Sequence, residues 1–404
     1  MFFVNRILPI FFAAFFFVGC VVNPELPPRE DFSPPPSMRS LPNPLVAAYL
    51  HIGNRKILAE NLNLDGIDIL NVAFTVINNN HIGLLHQTDA ENFMQVRKIK
   101  KRYQNMRVLV SVGGYGTAED FSVMAHNPEH RAVFVDDAVR FVRYFGFDGI
   151  DVDWEFPGMT KNERQADKVN FTALLSELRV ALNEASNKDG RKYMLTIASG
   201  AFDAYLRYIE PEKVVSLVDY FFVMTYDFVG QWNAHTGHHT NIFASNPKPQ
   251  NVYSIDRIVN NYILSKIPRE KLVIGTAFYG RKWIDVDNSN NGLYQKGKGE
   301  GSISYKKIMD LLKSDLNYRR FWDGKAHAPY IYNNLNKTFI TYDDKQSVKV
   351  KVDYVLANNL GGIMFWEYFS DNNGELFDAI RGRMELGRGD EVMLPLPRCM
   401  QKRR

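Results

Sequence analysis

Cysteine is nearly absent: Cys20 and Cys399 are the only two in 404 residues and stand at opposite ends. A disulfide framework is therefore not expected, and no cysteine-based zinc spacing exists. Charge of one sign is scarce as well. Forty-nine Lys and Arg against 45 Asp and Glu leave a net +4, with acids spread throughout, which excludes the basic face of a nucleic-acid binder and suits recognition of an uncharged polymer. Long apolar runs are missing beyond the start of the chain. There Arg6 precedes an almost wholly apolar stretch, residues 7–19, the layout of an export signal and too short to span a bilayer comfortably. Histidines do not form a metal pattern either. His235 and His239 have the four-residue spacing of a metal pair, with His238 beside them, but Gly237 argues against the helix that such pairing needs.

What is present begins with a candidate anchor. Phe17-Val18-Gly19-Cys20 resembles the lipobox of bacterial lipoproteins, in which the cysteine becomes the lipidated first residue, although phenylalanine three positions before it is atypical. The expectation is a signal at 1–19 and an exported protein held on the cell-envelope membrane through Cys20; a plain secretory signal is the alternative. Residues 20–44 hold eight prolines among polar residues, a composition that forms neither helix nor central strand and reads as a tether.

From residue 45 the chain alternates short apolar runs with amphipathic stretches. The runs are 46–50, 67–77, 107–113, 149–154, 193–199, 220–226, 272–278 and 361–366. Eight runs separated by helical periodicity predict a (β/α)8 TIM barrel with catalytic groups at the C-terminal ends of its strands. In residues 162–186 the periodicity is carried by Val169, Leu174, Leu175, Leu178, Val180 and Leu182. About eighty residues separate the last two runs, more than one βα unit needs. A small α+β insertion is expected at about 282–345, the barrel closing by 380 and a solvated tail following at 381–404.

Residues 147–157 read Phe-Asp-Gly-Ile-Asp-Val-Asp-Trp-Glu-Phe-Pro. On a strand, Asp151, Asp153 and Glu155 share one face while Ile150, Val152 and Trp154 take the other. In a parallel barrel the acid face is the interior. Stacked carboxyls there are costly, since neighbouring like charges cannot all ionise and burial raises at least one pKa. Such a cost is tolerated for chemistry or for a cation. Calcium needs six or more oxygens in flexible loop geometry, which a regular strand supplies poorly.

Asp148, Asp151, Asp153 and Glu155 fill D-x-x-D-x-D-x-E, and the segment resembles the end of the fourth barrel strand in glycoside hydrolase family 18. Residues 46–380 carry the resemblance. Ser111-Val112-Gly113-Gly114 looks like its third-strand S-x-G-G, Met224-Thr225-Tyr226-Asp227 like its sixth-strand M-x-Y-D, and residues 361–366, ending in Trp366, like its eighth-strand motif. Residues 275–281 resemble the seventh-strand G-x-P-x-Y-G-R, with Ala277 in place of proline; Tyr115 stands where tryptophan is common.

The resemblance implies a retaining, endo-acting hydrolase of β-1,4 bonds after N-acetylglucosamine, in chitin or chito-oligosaccharides, with no cofactor and no metal. Catalysis of this type is substrate-assisted. The 2-acetamido carbonyl attacks its own anomeric carbon, Glu155 protonates the leaving oxygen, and water opens an oxazolinium. Asp153 is expected to hold the acetamido N–H, sharing a proton with Asp151, which helps keep Glu155 protonated. Tyr226 would orient the acetamido oxygen, Trp366 would floor the −1 sugar, and Tyr49 and Ser111 would support Asp151. Met224, Asp227, Tyr279, Arg281 and Trp232 complete the expected substrate contacts, in a protein acting as a monomer. Two other readings stay open: an endo-β-N-acetylglucosaminidase on N-glycans or peptidoglycan, and a non-catalytic lectin, against which the presence of Glu155 speaks.

Overall fold

The computed structural model of the protein describes residues 40–159, 165–245, 253–371 and 373–387. The expected signal, tether residues 20–39, Cys20 and Cys399 lie outside the described residues. The strands of the first half are β1 (Leu45–His51), β2 (Ile69–Asn78), β3 (His81–Gly83), β4 (Arg107–Gly113) and β5 (Gly149–Asp153). Then come β6 (Met194–Ser199), β7 (Tyr220–Val223) and β8 (Leu272–Ala277). A lobe contributes β9 (Tyr279–Ile284), β10 (Lys298–Ser304), β11 (Tyr318–Asp323), β12 (Ala328–Asn333) and β13 (Thr338–Thr341), and β14 (Gly362–Trp366) ends the series.

Eight of these, β1, β2, β4, β5, β6, β7, β8 and β14, pair in parallel, and β1 pairs with both β2 and β14, so the sheet closes on itself. The fold is the (β/α)8 barrel that the alternation predicts. The helices are α1 (Asp89–Arg102), α2 (Ala118–His126), α3 (Pro128–Phe145), α4 (Asp167–Asp189), α5 (Pro211–Leu217), α6 (Ile255–Leu264), α7 (Tyr305–Ser314), α8 (Lys345–Ala357) and α9 (Glu375–Gly387). Among these helices none is long and apolar enough to cross a membrane.

Period two along each strand divides the core. Leu45, Ala47, Tyr49, Ile69, Leu109, Met194, Phe222, Val273 and Met364 fill one cluster, the barrel interior. Val46, Ala48, Leu50, Ile150 and Val152 belong to the other, where strands meet helices. Helix α3 shows how the outer layer forms: Asn127 caps its start by accepting from the Glu129 and His130 amides, Pro128 opens it, and Gly146 ends it at φ 84°. In α4 the inward stripe is narrower than the apolar spacing suggests. Leu174, Leu175, Leu178 and Leu182 are buried, whereas Val169 and Val180 are 57% and 56% exposed, because with 3.6 residues per turn both valines fall on the side of the helix opposite the leucines.

The second sheet, ordered β10-β9-β13-β12-β11, starts at Tyr279 rather than near residue 282. The motif at 275–281 therefore straddles two units: Gly275 to Ala277 end barrel strand β8 while Tyr279 and Arg281 belong to the lobe. Where the lobe returns, Asp343 and Lys351 form a fully buried ion pair at 2.5 Å. Asp343 also accepts from the Ala277 amide at the end of β8, and Lys351 donates to Thr240. Breaking such a pair by removing one partner is strongly destabilising. The tail begins later than residue 381 suggests, since α9 runs to Gly387 and buries Met384.

Candidate active site

The register of three neighbouring strands sets the innermost acid. Ser111 on β4, Asp151 on β5 and Thr196 on β6 are lateral partners, so all three side chains enter the barrel at one level. Asp151 accepts from the Tyr49 hydroxyl at 2.9 Å, Ser111 Oγ at 2.9 Å and Thr196 Oγ1 at 2.6 Å. Burial raises its carboxyl and these three donors oppose the rise. Thr196 carried no motif; its place two residues after the inward Met194 was the available signal.

Asp153 stands one step higher, buried among carboxyls. Desolvation, then Glu155 and Asp151, push it well above the usual range. Burial and the charge of Asp227 raise Glu155 to about 7. The Asp153 and Glu155 carboxyls act on each other, Glu155 raising Asp153 while Asp153 lowers Glu155. The three hydroxyls on Asp151 all donate to it. The charge acting on Glu155 comes from Asp227 rather than Asp151. Asp153 Oδ1 is buried and has no hydrogen-bond partner among the described residues.

Tight backbone contacts explain the glycines beside these acids. A Cβ on Gly113, at φ 112°, would lie 2.4 Å from the Asp153 carbonyl oxygen, and one on Gly114 would strike the Phe74 ring.

The walls come from the other strand ends. Trp366 closes β14 with Tyr49, His51 and Phe74 each 5.6 Å away, centroid to centroid, and Phe74 stacked at 26°. Met224 packs with Tyr226 and Trp366 around the top of the interior. The Tyr226 ring lies against Gly275, where a Cβ would come within 2.7 Å, and meets Tyr279 edge-on at 6.0 Å. Asp227 and Arg281, expected to contact sugar separately, hold each other in a bidentate pair at 2.7 and 2.5 Å. Burial acts to raise Asp227, yet His239 and Arg281 hold it well below the usual carboxylate range. Trp232 is 59% exposed and lies under the Arg281 guanidinium at 5.1 Å.

The three histidines diverge. His238 faces Asp323 at 3.1 Å, His239 is fully buried 3.6 Å from Asp227, and His235 bridges to Lys296. His239 and Phe74 are site neighbours that residue type alone did not single out. A cavity of about 290 Å³ lies at the opposite end of the barrel, lined by Pro44, Val355, Leu356 and Leu360 among others, and none of its lining side chains is ionisable.

The chain as a whole is similar to known proteins. Residues 47–371 match the family described as Glycosyl hydrolases family 18. Chitinase A1 of Niallia circulans is 37% identical over 319 residues, 74% of this chain but 46% of that relative. Chitinase B of Serratia marcescens is 30% identical, over 70% of this chain and 68% of its own length. Among solved structures, a glycoside hydrolase family 18 N-acetylglucosaminidase from Paenibacillus barengoltzii superposes with a TM-score of 0.77 at 35% identity, covering 84% of this chain and all of that one.

Proposed function

The chain belongs to glycoside hydrolase family 18, and from that premise we propose that it hydrolyses β-1,4 bonds after N-acetylglucosamine in chitin or chito-oligosaccharides, with retention and within the polymer. The observation that carries the reading is a protonatable Glu155 beside a buried Asp153 whose Oδ1 has no hydrogen-bond partner among the described residues. Glu155 holds its proton near neutrality and donates it to the leaving oxygen. The unpartnered Asp153 Oδ1 accepts the N–H of the 2-acetamido group, steadying the positive charge that grows as the acetamido carbonyl attacks the anomeric carbon. The C–O bond to the leaving sugar breaks as the oxazolinium ring closes. Water, giving up its proton to Glu155, then opens the ring from the face that restores the original configuration. Asp151, anchored by three hydroxyls, keeps Asp153 from settling back into the barrel.

Trp366 offers an apolar floor for the −1 sugar, whose C–H face is itself apolar. Tyr115, 93% exposed, and Trp232 stand on the loops after β4 and β7, on either side of β5. Aromatic platforms on both sides of the acid suit a chain that continues in both directions, hence endo cleavage. All these groups come from one chain, which suits a monomer.

Proton NMR early in the digestion of N-acetylated oligomers tests the mechanism: a β-anomer is expected first, and oligomers deacetylated at subsite −1 are expected to resist. An initial α-anomer, or equal cleavage of fully deacetylated chains, rules the mechanism out. For location, the proposal is attachment to a bacterial envelope membrane through a lipidated Cys20. Growth with labelled fatty acid should give a labelled protein, Cys20→Ala should lose the label, and an unlabelled wild type would leave an ordinary secretory signal.

A further inference from the structure

Glu155 lies two residues beyond β5, on a loop, yet its work requires placement to a fraction of an ångström. The backbone on either side of it is held by the same two helices. On the near side, the buried Trp154 ring stacks on Phe121 of α2 at 5.2 Å and 8°, and meets Phe171 of α4 edge-on at 5.7 Å. On the far side, the Gly158 amide donates to Asp167 Oδ2 at 3.1 Å, and Ser122 Oγ donates to Asp167 Oδ1 at 2.7 Å. Phe121 and Ser122 are adjacent on α2, while Asp167 and Phe171 are one turn apart on α4. Each helix thus contributes one aromatic and one polar member. Asp167, Ser122, Phe121 and Phe171 are all buried.

We propose that Asp167 is a positioning residue for the proton donor: with Ser122 it pins the loop after Glu155 to the helices that already grip Trp154 before it. The proposal rests on the reading of Glu155 as general acid. The clamp acts on the acid's placement and on its access to water, and binding of the sugar chain on Trp366 and the outer aromatics does not depend on it. Glu155 is faced by Asp153 from β5, by Tyr226 and Asp227 after β7, and by Tyr205 from the segment after β6. Burial is the main cause of its raised pKa. A loosened loop admits water and lowers that pKa, so the basic limb of the rate profile moves to lower pH.

The test compares Asp167→Ala, Asp167→Asn and Ser122→Ala in the full chain on N-acetylated oligomers, with kcat, KM, the pH profile and thermal stability measured for each. Asp167→Ala should lower kcat on the order of tenfold, since small misplacements of a catalytic group are expensive. Its KM should stay within about twofold, and its basic limb should shift down. Asp167→Asn keeps an acceptor for Gly158 and a partner for Ser122 and should recover most of kcat. Ser122→Ala, the mild variant that remains informative if Asp167→Ala does not fold, should lose about threefold in kcat. A lower Tm with unchanged kcat and unchanged pH profile in the folded variants would overturn the positioning role, as would a loss confined to KM. If Glu155→Gln itself kept normal turnover, the parent reading would fall instead, so the two failures are distinguishable.

Discussion

The two ends of β5 carry the same kind of side chain in opposite surroundings. Just before the strand, Asp148 is buried against Lys100 at 2.6 Å and pairs with Arg191, while its other oxygen accepts the Val108 amide at 2.9 Å. At the far end, the groups acting on Asp151, Asp153 and Glu155 among the described residues are hydroxyls and other acids. The cation placed near them, Arg281, is engaged by Asp227. Cations turn the lower aspartate into a strut that ties β4, β5 and α1 together. Withholding them leaves the upper carboxyls with raised pKa values and a proton to give. Four acids of one motif thus divide into one that holds the barrel and three that face the cleft.

The comparison breaks most decisively at Glu155. Glu155→Gln keeps the shape and removes the proton, so turnover of chito-oligosaccharides should fall by about 10²–10⁴ with binding largely retained. Calorimetric binding beside initial rates measures both, and a near-normal rate would dissolve the distinction between the two ends. A smaller effect is expected from pH. Since the protonated form of Glu155 is the active one and its pKa is raised to about 7, kcat/KM should decline about tenfold per pH unit above that point; a limb below pH 5 would show an ordinary, solvated carboxyl. The smallest effect on rate is expected at the lower end. Asp148→Asn should leave kcat of the folded enzyme unchanged while costing about 3–5 kcal/mol of stability, because Lys100 and Arg191 remain buried without their counter-charge. Thermal melts with active-site titration separate the two quantities, and a kcat loss with intact stability would make Asp148 part of the chemistry.

Much of the arrangement was legible in the chain. Apolar runs marked eight strands because period-two alternation and helix periodicity are local properties. Asp151, Asp153 and Glu155 were placed on one face by the same alternation. Thr196 was not, since a threonine on a strand looks alike whether or not a carboxylate lies across from it. His239, in a spacing that Gly237 already argued against as a metal pair, gave no sign in the chain that it would lie beside Asp227. Asp227 and Arg281, fifty-four residues apart, were each legible as polar groups, but their mutual pairing arises from the lobe starting at Tyr279, directly after β8. Cys20 and the tether remain expectations from residue type.

By itself the sequence determined that Asp151, Asp153 and Glu155 share a face, because strand periodicity assigns faces, while the roles of acid, floor and support followed from the resemblance of its motifs to those of the family. Tertiary structure alone decided which carboxyl receives cations and which receives hydroxyls. Those choices depend on parallel register, which levels Ser111, Asp151 and Thr196, and on helices α2 and α4 meeting around the loop of Glu155. Electrostatics acts through space across separations of tens of residues along the chain, and a linear order of residue types does not contain that distance.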